Sequence, residues 1–500
     1  MINWYKNRKS RVQDFEDFPH GLKLYHYNEE DSHTIGDALQ HVCVLGRTGA
    51  GKSSGPGRAY AVSYLAAGFG GLVLCAKPEE RETWERYAKE AGREEDIVFF
   101  NPVEKWRFNF FNYEYTRSGR GAGRTVNLHQ LLMVMVDAVQ NGEESGGGDN
   151  AFWKYTMDQL VRRAIDLLSL AAETPTLQKI YDIVASAPPK PGYARPLSES
   201  DKGSDAWNWQ VGSYCFKMIV QAYQRSLKKH QGMSEQQQRD WKITRTYWAH
   251  EFPGLSERTR SVIVSYMTST LDLLLTGDLG ELFGTTTNIT PEDCFDGKVI
   301  IVDLPTLEFF DLGKMAAHIW KYMLQRAILA REVNGETRPV FLWADEAHQF
   351  LSSFDGEYMA QCRSKGGAVV YLAQNIPQFK NALGGNGMEK VNALVGNFKT
   401  LVFMANNEQD TNEFAANILG KSWLVHPTIS MKSGTPSGED FVPRVGANLH
   451  QSERYELQPN EFTALRTGGP QNDWLVEAVI FRGQRWSTGR PHLNAYFTQR

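Results

Sequence analysis

One short glycine-rich segment constrains the fold of this chain more than any other feature. Residues 46–53 read GRTGAGKS, with glycines and a Lys–Ser pair at the spacing of a phosphate-binding loop. The apolar run HVCVLG (41–46) precedes it. Such a loop needs a strand before it and a helix start after it, because backbone N–H groups and the helix dipole hold the phosphate oxygens. The sequence therefore predicts a nucleotide-binding α/β domain.

Each residue of the predicted loop has a defined part in holding ATP. Lys52 would reach the β- and γ-phosphates, and the Ser53 hydroxyl would bind Mg²⁺. The residues expected around the phosphates are Gly46, Arg47, Thr48, Gly49, Ala50, Gly51, Lys52, Ser53 and Ser54. The alternative is a glycine-rich turn that matches by chance. Pro56 follows closely, and it either begins the helix, where amides have no partner anyway, or bends it.

Apolar runs along the chain predict a buried sheet. Each is β-rich and nearly continuous in apolar residues, which is typical of parallel strands covered on both faces. They lie at 41–46, 71–76, 96–102, 298–305, 339–346, 368–375, 400–406 and 475–481. Helical patterns separate several of them, as at 78–92 and 313–332. This alternation predicts an α/β fold with a mainly parallel sheet.

The middle of the chain lacks convincing strands. Segments 150–172, 213–229 and 257–275 have helical spacing, and the segments 141–150 and 186–205 have loop composition. We therefore predict an all-α domain inserted into the nucleotide-binding domain. The expected organisation is a polar arm (1–36), the first part of the α/β domain (37–126), the insertion (127–280) and the second part (281–500).

A second motif supplies the acidic groups that a phosphate loop needs. In VFLWADEAHQF (340–350), Asp345 follows an apolar strand and would bind Mg²⁺ through its water shell. Glu346 is then placed to orient or deprotonate the attacking water. The alternative is a solvated Asp–Glu pair at a strand end. The letters DEAH also match a helicase motif, but Asp345 lies too far downstream of Lys52 for that architecture, and His348 is predicted to start a helix.

Composition limits the classes of function. The net charge is −4, which excludes attraction of nucleic acid by the whole surface but leaves a local basic lining open. The five cysteines have no zinc-ligand spacing, so we expect small buried side chains in a reducing compartment. The first eighteen residues have no apolar core for a signal peptide, and the apolar run 60–76 contains three glycines. We expect a cytoplasmic protein.

The region around the acidic motif resembles a known family. Residues 341–375, ending in YLAQN, resemble the coupling-protein ATPases of type IV secretion and conjugation, the TraG/TraD kind, within the HerA/FtsK group of ring-forming pumps. Segments 296–305, 406–422 and 455–469 are similar to further parts of that family. The resemblance covers roughly 37–497. It implies a RecA-like P-loop NTPase domain with an all-α insertion, which hydrolyses ATP with Mg²⁺.

The resemblance also assigns residue roles. It makes Lys52, Ser53, Asp345 and Glu346 the nucleotide, metal and catalytic groups proposed above. Gln374 corresponds to the sensor of the γ-phosphate, although a capping amide at a strand end is the alternative. Arg363 lies where the family places an arginine finger that reaches the neighbouring subunit's site. An exposed charge near the active site is the alternative for Arg363.

Partners follow from the same resemblance. It implies a homo-oligomer, expected to be a hexameric ring, that moves DNA and works with a relaxase or secretion-channel proteins. Membrane-anchored members begin with two transmembrane helices, whereas this sequence begins with a polar arm. We therefore expect either docking at the inner face of the membrane through a partner, or a soluble DNA pump of a mobile element, plasmid or defence island. Two other functions stay open: an ATP-switched receptor for protein substrates, and a defence-system NTPase that partners a nuclease.

Candidate contacts to DNA are weak in the sequence, because basic runs are usually solvated faces. The basic candidates are Arg117, Arg120, Arg124, Arg225, Lys228, Lys229, Arg258 and Arg260. The predicted insertion also contains a group of tryptophans, either core residues of a small helical domain or docking sites for a substrate. They are Trp153, Trp207, Trp209, Trp241 and Trp248.

Overall fold

The fold was obtained as a computed structural model. It describes residues 18–117, 125–140, 149–228, 232–352, 354–384, 387–432 and 444–499. The strands are β1 (Lys23–His26), β2 (Ser32–Thr34), β3 (Val42–Leu45), β4 (Gly70–Leu74), β5 (Ile97–Phe100), β6 (Val299–Val302), β7 (Val340–Ala344), β8 (Gly367–Ala373), β9 (Thr400–Phe403), β10 (Lys421–Lys432), β11 (Arg444–Tyr455), β12 (Leu475–Phe481) and β13 (His492–Thr498).

Helices connect these strands and fill the middle of the chain. They are α1 (Ile35–Ala38), α2 (Arg58–Ala66), α3 (Glu80–Ala91), α4 (Phe110–Thr116), α5 (Thr125–Gln140), α6 (Asp149–Leu170), α7 (Leu177–Ala185), α8 (Asp205–Gly212), α9 (Tyr214–Leu227), α10 (Glu235–Thr246), α11 (Phe252–Gly254), α12 (Glu257–Leu275), α13 (Gly277–Gly284), α14 (Thr306–Ala330), α15 (Asp355–Cys362), α16 (Ile376–Leu383), α17 (Gly387–Val395) and α18 (Gln409–Leu419).

Nine strands form a mostly parallel sheet in the order β13-β12-β9-β3-β8-β7-β4-β6-β5. This confirms the predicted α/β fold and its mainly parallel sheet. The chain divides into two compact units. One holds 18–67, 345–363 and 368–499, and the other holds 68–344 and 364–367.

The first unit contains the strand that leads into the phosphate loop. All four residues of β3 are buried, and β3 pairs in parallel with β8 and β9, so that Leu45 lies opposite Ala373 and Phe403. The carboxyl ends of these three strands therefore meet at one edge of the sheet. On the other side of β9, β12 pairs antiparallel with both β9 and β13.

The second unit contains β7, β4, β6 and β5, which pair in parallel. Two glycines begin β4 because there is no room for larger residues: a Cβ on Gly70 would lie 1.8 Å from the Cys294 carbonyl oxygen, and one on Gly71 would lie 2.3 Å from the Phe341 ring. Between 125 and 284, the described residues contain helices α5–α13 and no strand. The domain boundaries stay a prediction.

The cysteines and two of the tryptophans named in the sequence analysis are buried in the structure. All five cysteines are buried and none forms a disulfide. Trp241 and Trp248 are buried core residues, whereas Trp207 and Trp209 are half-buried and the Trp153 side chain lies outside the described residues. Among the helices that the structure describes, none has the length and apolar character needed to cross a membrane.

Candidate nucleotide site

The phosphate loop joins the end of β3 to helix α2. Gly49 and Gly51 have φ values of 76° and 85°, which favour glycine because a side chain is strained there. The Ala50 amide donates to the Arg47 carbonyl at 3.0 Å and closes a tight turn. The loop therefore has the backbone that its glycines predicted, and it lies between a buried strand and a helix.

Pro56 produces one π-helical turn, Ser53–Gly57, before α2 begins. Proline has no N–H, so Pro56 cannot donate to the Lys52 carbonyl four residues earlier. The Gly57 amide bonds that oxygen instead, at 2.8 Å. A Cβ on Gly57 would lie 2.8 Å from the same oxygen, so glycine is needed there.

Lys52 is buried within the loop, with 8% of its surface exposed. Its ammonium donates to the carbonyl oxygens of Gly46 at 2.8 Å and Arg47 at 3.4 Å. These contacts hold the positive charge against the backbone of the loop. A bound polyphosphate would meet this charge together with the N–H groups, which is the arrangement that a phosphate loop requires.

Ser53 and Asp345, the residues predicted to bind Mg²⁺, are in direct contact. The Ser53 hydroxyl donates to Asp345 Oδ2 at 2.6 Å, and the other carboxylate oxygen accepts the Glu346 amide at 2.9 Å. A hydroxyl and a carboxylate are hard oxygen ligands of the kind that Mg²⁺ prefers, so these residues fit that ion. Asp345 and Glu346 are 6% and 4% exposed, which does not fit the alternative of a solvated acidic pair.

Glu346 turns sharply away from the end of β7. Its backbone is left-handed (φ 50°, ψ 46°), which is uncommon for a residue other than glycine and is often found at active sites. The Gln374 amide nitrogen lies 3.2 and 3.3 Å from the two carboxylate oxygens of Glu346. His348 lies in the short 3₁₀ turn Ala347–Gln349, with Nδ1 3.8 Å from Glu346 Oε2.

Gln374 is fixed by contacts on its backbone. Its carbonyl accepts from Asn406 Nδ2 at 2.8 Å, and its amide donates to Gln378 Oε1 at 3.2 Å. Capping of α16 falls to Asn375, whose side chain accepts from the Gln378 amide. The Gln374 side chain is therefore directed to Glu346 rather than used as a cap.

Sequence reasoning did not single out Asn406. It lies three residues after the end of strand β9, and Gln374 comes directly after β8; both strands pair with β3, which leads into the phosphate loop. Polar residues after neighbouring parallel strands are the signal that could have found it.

Arg363 lies away from these groups. It begins the 3₁₀ turn Arg363–Lys365 before β8, and its side chain is exposed. Gln374 follows the opposite end of β8, and seven strand residues span roughly 20 Å. The structure therefore brings together Lys52, Ser53, Asp345, Glu346 and Gln374, and it leaves Arg363 at the other edge of the sheet.

Several basic candidates for DNA contact are used locally instead. Arg117 pairs with Glu114, Arg225 donates to the carbonyls at the end of α6, and Arg260 donates to Pro253 and Leu255. Lys228 and Arg258 are exposed. Arg120, Arg124 and Lys229 lie outside the described residues. The described contacts therefore identify no basic surface for DNA.

Part of the candidate site lies in a segment that is similar to a known protein family. Residues 339–466 match the family model described as the TraM recognition site of TraD and TraG. This segment includes the acidic motif, Arg363, Gln374 and Asn406. No sequence among curated proteins matches the chain significantly.

Solved structures of a bacterial conjugative coupling protein, TrwB, share the fold. The unbound monoclinic form is 16% identical, covers 100% of this chain and 93% of its own, and has a TM-score of 0.56. A TrwB complex with ADP and Mg²⁺ is 15% identical, covers 94% and 87%, and also has a TM-score of 0.56. At such identities the likeness shows the fold alone. Together with the family match, it confirms the predicted resemblance: the chain is similar to TraD and TraG over 339–466 and has the α/β fold of TrwB.

Proposed function

We propose that this chain hydrolyses ATP and uses the energy to move DNA, as a coupling protein of conjugation or type IV secretion. The observation that carries the proposed hydrolysis is the Ser53–Asp345 hydrogen bond of 2.6 Å, with Glu346 and Gln374 beside it, and the movement of DNA is proposed from the similarity to conjugative coupling proteins. This contact joins the phosphate loop to the acidic strand end. ATP hydrolysis needs a phosphate cradle, oxygen ligands for Mg²⁺ and a base for water within one site.

The proposed chemistry divides among these residues. Mg²⁺, when bound, would neutralise charge on the β- and γ-phosphates. Lys52 would hold the same phosphates through its ammonium. Glu346 would orient a water and take its proton, while Gln374 would contact the γ-phosphate and hold the Glu346 carboxylate. Burial of both acids keeps competing water away from this step.

The ring is proposed from the resemblance, and the position of Arg363 is compatible with it. An exposed arginine roughly 20 Å from its own subunit's Gln374 would have to act on the site of a neighbour. A finger in trans would make hydrolysis depend on assembly, as a motor with a central DNA channel requires. We propose a homo-oligomer, hexameric as the resemblance implies.

A direct experiment tests the activity. Purified protein would be incubated with Mg²⁺ and ATP, and phosphate release measured alone, with single-stranded DNA and with duplex DNA. Displacement of streptavidin from end-biotinylated DNA would then test movement. We expect DNA-stimulated hydrolysis and ATP-dependent displacement. A hydrolysis rate that neither form of DNA changes, together with no displacement of streptavidin, would contradict a DNA motor.

A second function is favoured by the family match over 339–466, whose description names recognition of a protein, TraM. We propose that this segment carries a docking surface for a partner protein of the secretion apparatus, which would also place the chain at the inner face of the membrane. Retention of the DNA-free protein by such a partner, with ATP changing the affinity and DNA having no effect, would favour the ATP-switched receptor over the motor.

A further inference from the structure

The end of strand β13 lies directly against the phosphate loop. Gln499 follows the strand, and its side-chain nitrogen donates to the Ser54 hydroxyl at 2.6 Å. Its side-chain oxygen accepts from the Gly469 amide at 2.8 Å. The backbone amide of Gln499 donates to the Trp474 carbonyl at 2.9 Å, which anchors the residue itself. One glutamine thus ties the phosphate loop to the loop that precedes β12.

Two glycines lie beside the Gln499 side chain, and side-chain atoms fill the space next to each of them. A Cβ on Gly51 would lie 2.7 Å from Val476 Cγ2 and 3.1 Å from Gln499 Nε2. A Cβ on Gly468 would lie 2.4 Å from Gln499 Oε1. Both glycines also have positive φ, 85° at Gly51 and 80° at Gly468, so a side chain on either side of Gln499 would be strained. Arg58 adds a further link, because its guanidinium donates to the Thr498 carbonyl at 3.3 Å.

Ser54 occupies a defined place along the cradle. Lys52 serves the β- and γ-phosphates, Ser53 serves the metal, and the loop amides hold the α- and β-phosphates. Ser54 therefore lies at the end where the α-phosphate and the nucleoside would be. Its hydroxyl oxygen accepts from Gln499, which leaves the hydroxyl proton to be donated to a phosphate oxygen.

We propose that Gln499 is a positioning residue for the nucleotide, acting through Ser54. Its side chain, anchored by the Gly469 amide, fixes the Ser54 hydroxyl as a donor toward the α-phosphate. Ordering these groups in advance lowers the cost of ordering them when the nucleotide binds. The inference rests on the proposed function only in requiring that this site takes a nucleoside di- or triphosphate.

The test measures binding of ADP with Mg²⁺ by calorimetry in wild type, Gln499→Ala, Ser54→Ala and the double variant. We expect Gln499→Ala to weaken binding about three- to tenfold, the worth of one hydrogen bond. The double variant should bind no more weakly than Ser54→Ala, because Gln499 acts through Ser54. In steady-state assays the loss should fall on KM for ATP rather than on kcat.

Two further variants separate positioning from folding. Gln499→Glu keeps the shape but places a carboxylate beside the phosphates, so it should weaken ADP binding at least as much, and more at low salt than at high salt. Asn494→Ala, an exposed residue of the same strand, should bind ADP normally. If the role of Gln499 were purely structural, all three variants that replace it (Gln499→Ala, Gln499→Glu and the double variant) would have a lower melting temperature, while their ADP affinity stayed at the wild-type value.

These measurements distinguish a wrong role for Gln499 from a wrong assignment of the nucleotide site. If wild type binds neither ADP nor ATP, the nucleotide site and this inference fall together. If wild type binds ADP and the Gln499 variants bind it equally well, only the role of Gln499 is overturned. Independent, additive losses in the double variant would likewise remove Ser54 as the group through which Gln499 acts.

Discussion

The side-chain nitrogen of Gln374 lies 3.2 Å from Oε1 and 3.3 Å from Oε2 of Glu346, although the residues belong to different strand ends. An amide donor shared between both oxygens fixes the direction in which that carboxylate points. The proposed base is thus oriented by the residue proposed to sense the γ-phosphate, and substitutions at the two positions should differ in a defined way.

Glu346→Gln should separate nucleotide binding from hydrolysis. The amide keeps the shape of the side chain and can still accept from Gln374, but it cannot take a proton. We expect hydrolysis to fall by about 10²–10⁴ while binding of ATP with Mg²⁺ is retained. Phosphate release and calorimetry measure the two effects, with the exposed Glu357→Gln as a matched control. Hydrolysis at the wild-type rate would mean that another group positions the water.

Gln374→Leu should remove the amide that joins the base to the γ-phosphate. Loss of one oriented donor at a reacting centre costs roughly 10²–10³ in kcat. Binding of ADP should change little, because ADP lacks the phosphate that Gln374 would contact. Gln361→Leu, at an exposed position of α15, provides the control. Equal weakening of ADP and ATP binding, with kcat intact, would indicate that Gln374 serves the fold rather than the reaction.

Lys52→Ala should remove the charge that the loop carbonyls hold in the cradle. A charged hydrogen bond contributes roughly 1.5–3 kcal/mol, so ATP binding should weaken about 10- to 100-fold and hydrolysis should be lost. The measurement is ATP affinity by calorimetry, and Lys89→Ala on the exposed face of α3 is the control. Normal turnover by Lys52→Ala would place the nucleotide elsewhere.

The sequence predicts those strands and helices whose apolar residues follow one clear pattern. The predicted run at 475–481 coincides with β12, and the helical pattern at 257–275 coincides with α12. Continuous apolar runs are unambiguous when a strand is buried on both faces. Strand β13 was missed because its residues alternate between buried and exposed at the sheet edge, so the sequence HLNAYFT has no apolar run. The hairpins β1–β2 and β10–β11 were missed as well.

The candidate site likewise contains residues that the sequence predicts and residues that it does not. The groups on continuous motifs, Lys52, Ser53, Asp345 and Glu346, follow from their spacing, because each comes directly after a predicted strand or within the loop. Gln499 could not be predicted, since nothing in its neighbourhood marks it and its partner Ser54 lies 445 residues away. Contacts of this kind depend on how β12 and β13 pack beside the loop, which no local pattern encodes.

Two buried histidines should make stability depend on pH. Burial lowers the pKa of His33 and of His41 to about 4, and in His41 the nearby Arg363 charge adds to the effect. The folded pKa lies below the ordinary value near 6.5, so the unfolded chain binds more protons between these values. Each histidine should therefore lower the free energy of unfolding as pH falls from about 6.5 to about 4, by roughly 1.4 kcal/mol per pH unit.

The measurement is the urea midpoint across this pH range, for wild type and His41→Asn. Asparagine tolerates the left-handed backbone of His41 (φ 70°) and does not titrate. It also loses the bond in which His41 Nδ1 accepts the Val369 amide at 3.1 Å, so the variant should be less stable at neutral pH but show a shallower loss in acid. Parallel pH profiles for the two proteins would contradict the assignment of this proton to His41.

The last prediction concerns assembly and Arg363. Because β8 separates Arg363 from its own subunit's Gln374 by roughly 20 Å, any catalytic effect of this arginine must act on a neighbouring subunit. Fingers of this kind contribute about 10³–10⁵ in rate. Hydrolysis per subunit should therefore rise steeply with protein concentration, and DNA should enhance the rise. Arg363→Ala should remove most of it while ATP affinity stays nearly unchanged, whereas Arg86→Ala, at an exposed arginine of α3, should behave as wild type.

Mixing two inactive variants gives the sharper result. In rings that contain both Arg363→Ala and Glu346→Gln subunits, some interfaces combine an intact Glu346 from one subunit with an intact Arg363 from its neighbour. Hydrolysis should partly return at those interfaces and should depend on the mixing ratio, with a maximum at intermediate ratios. Crosslinking or mass photometry would establish that the two variants assemble together. If co-assembled mixtures stay as inactive as either variant alone, Arg363 does not act in trans, and the ATP-switched receptor becomes the better account of this protein.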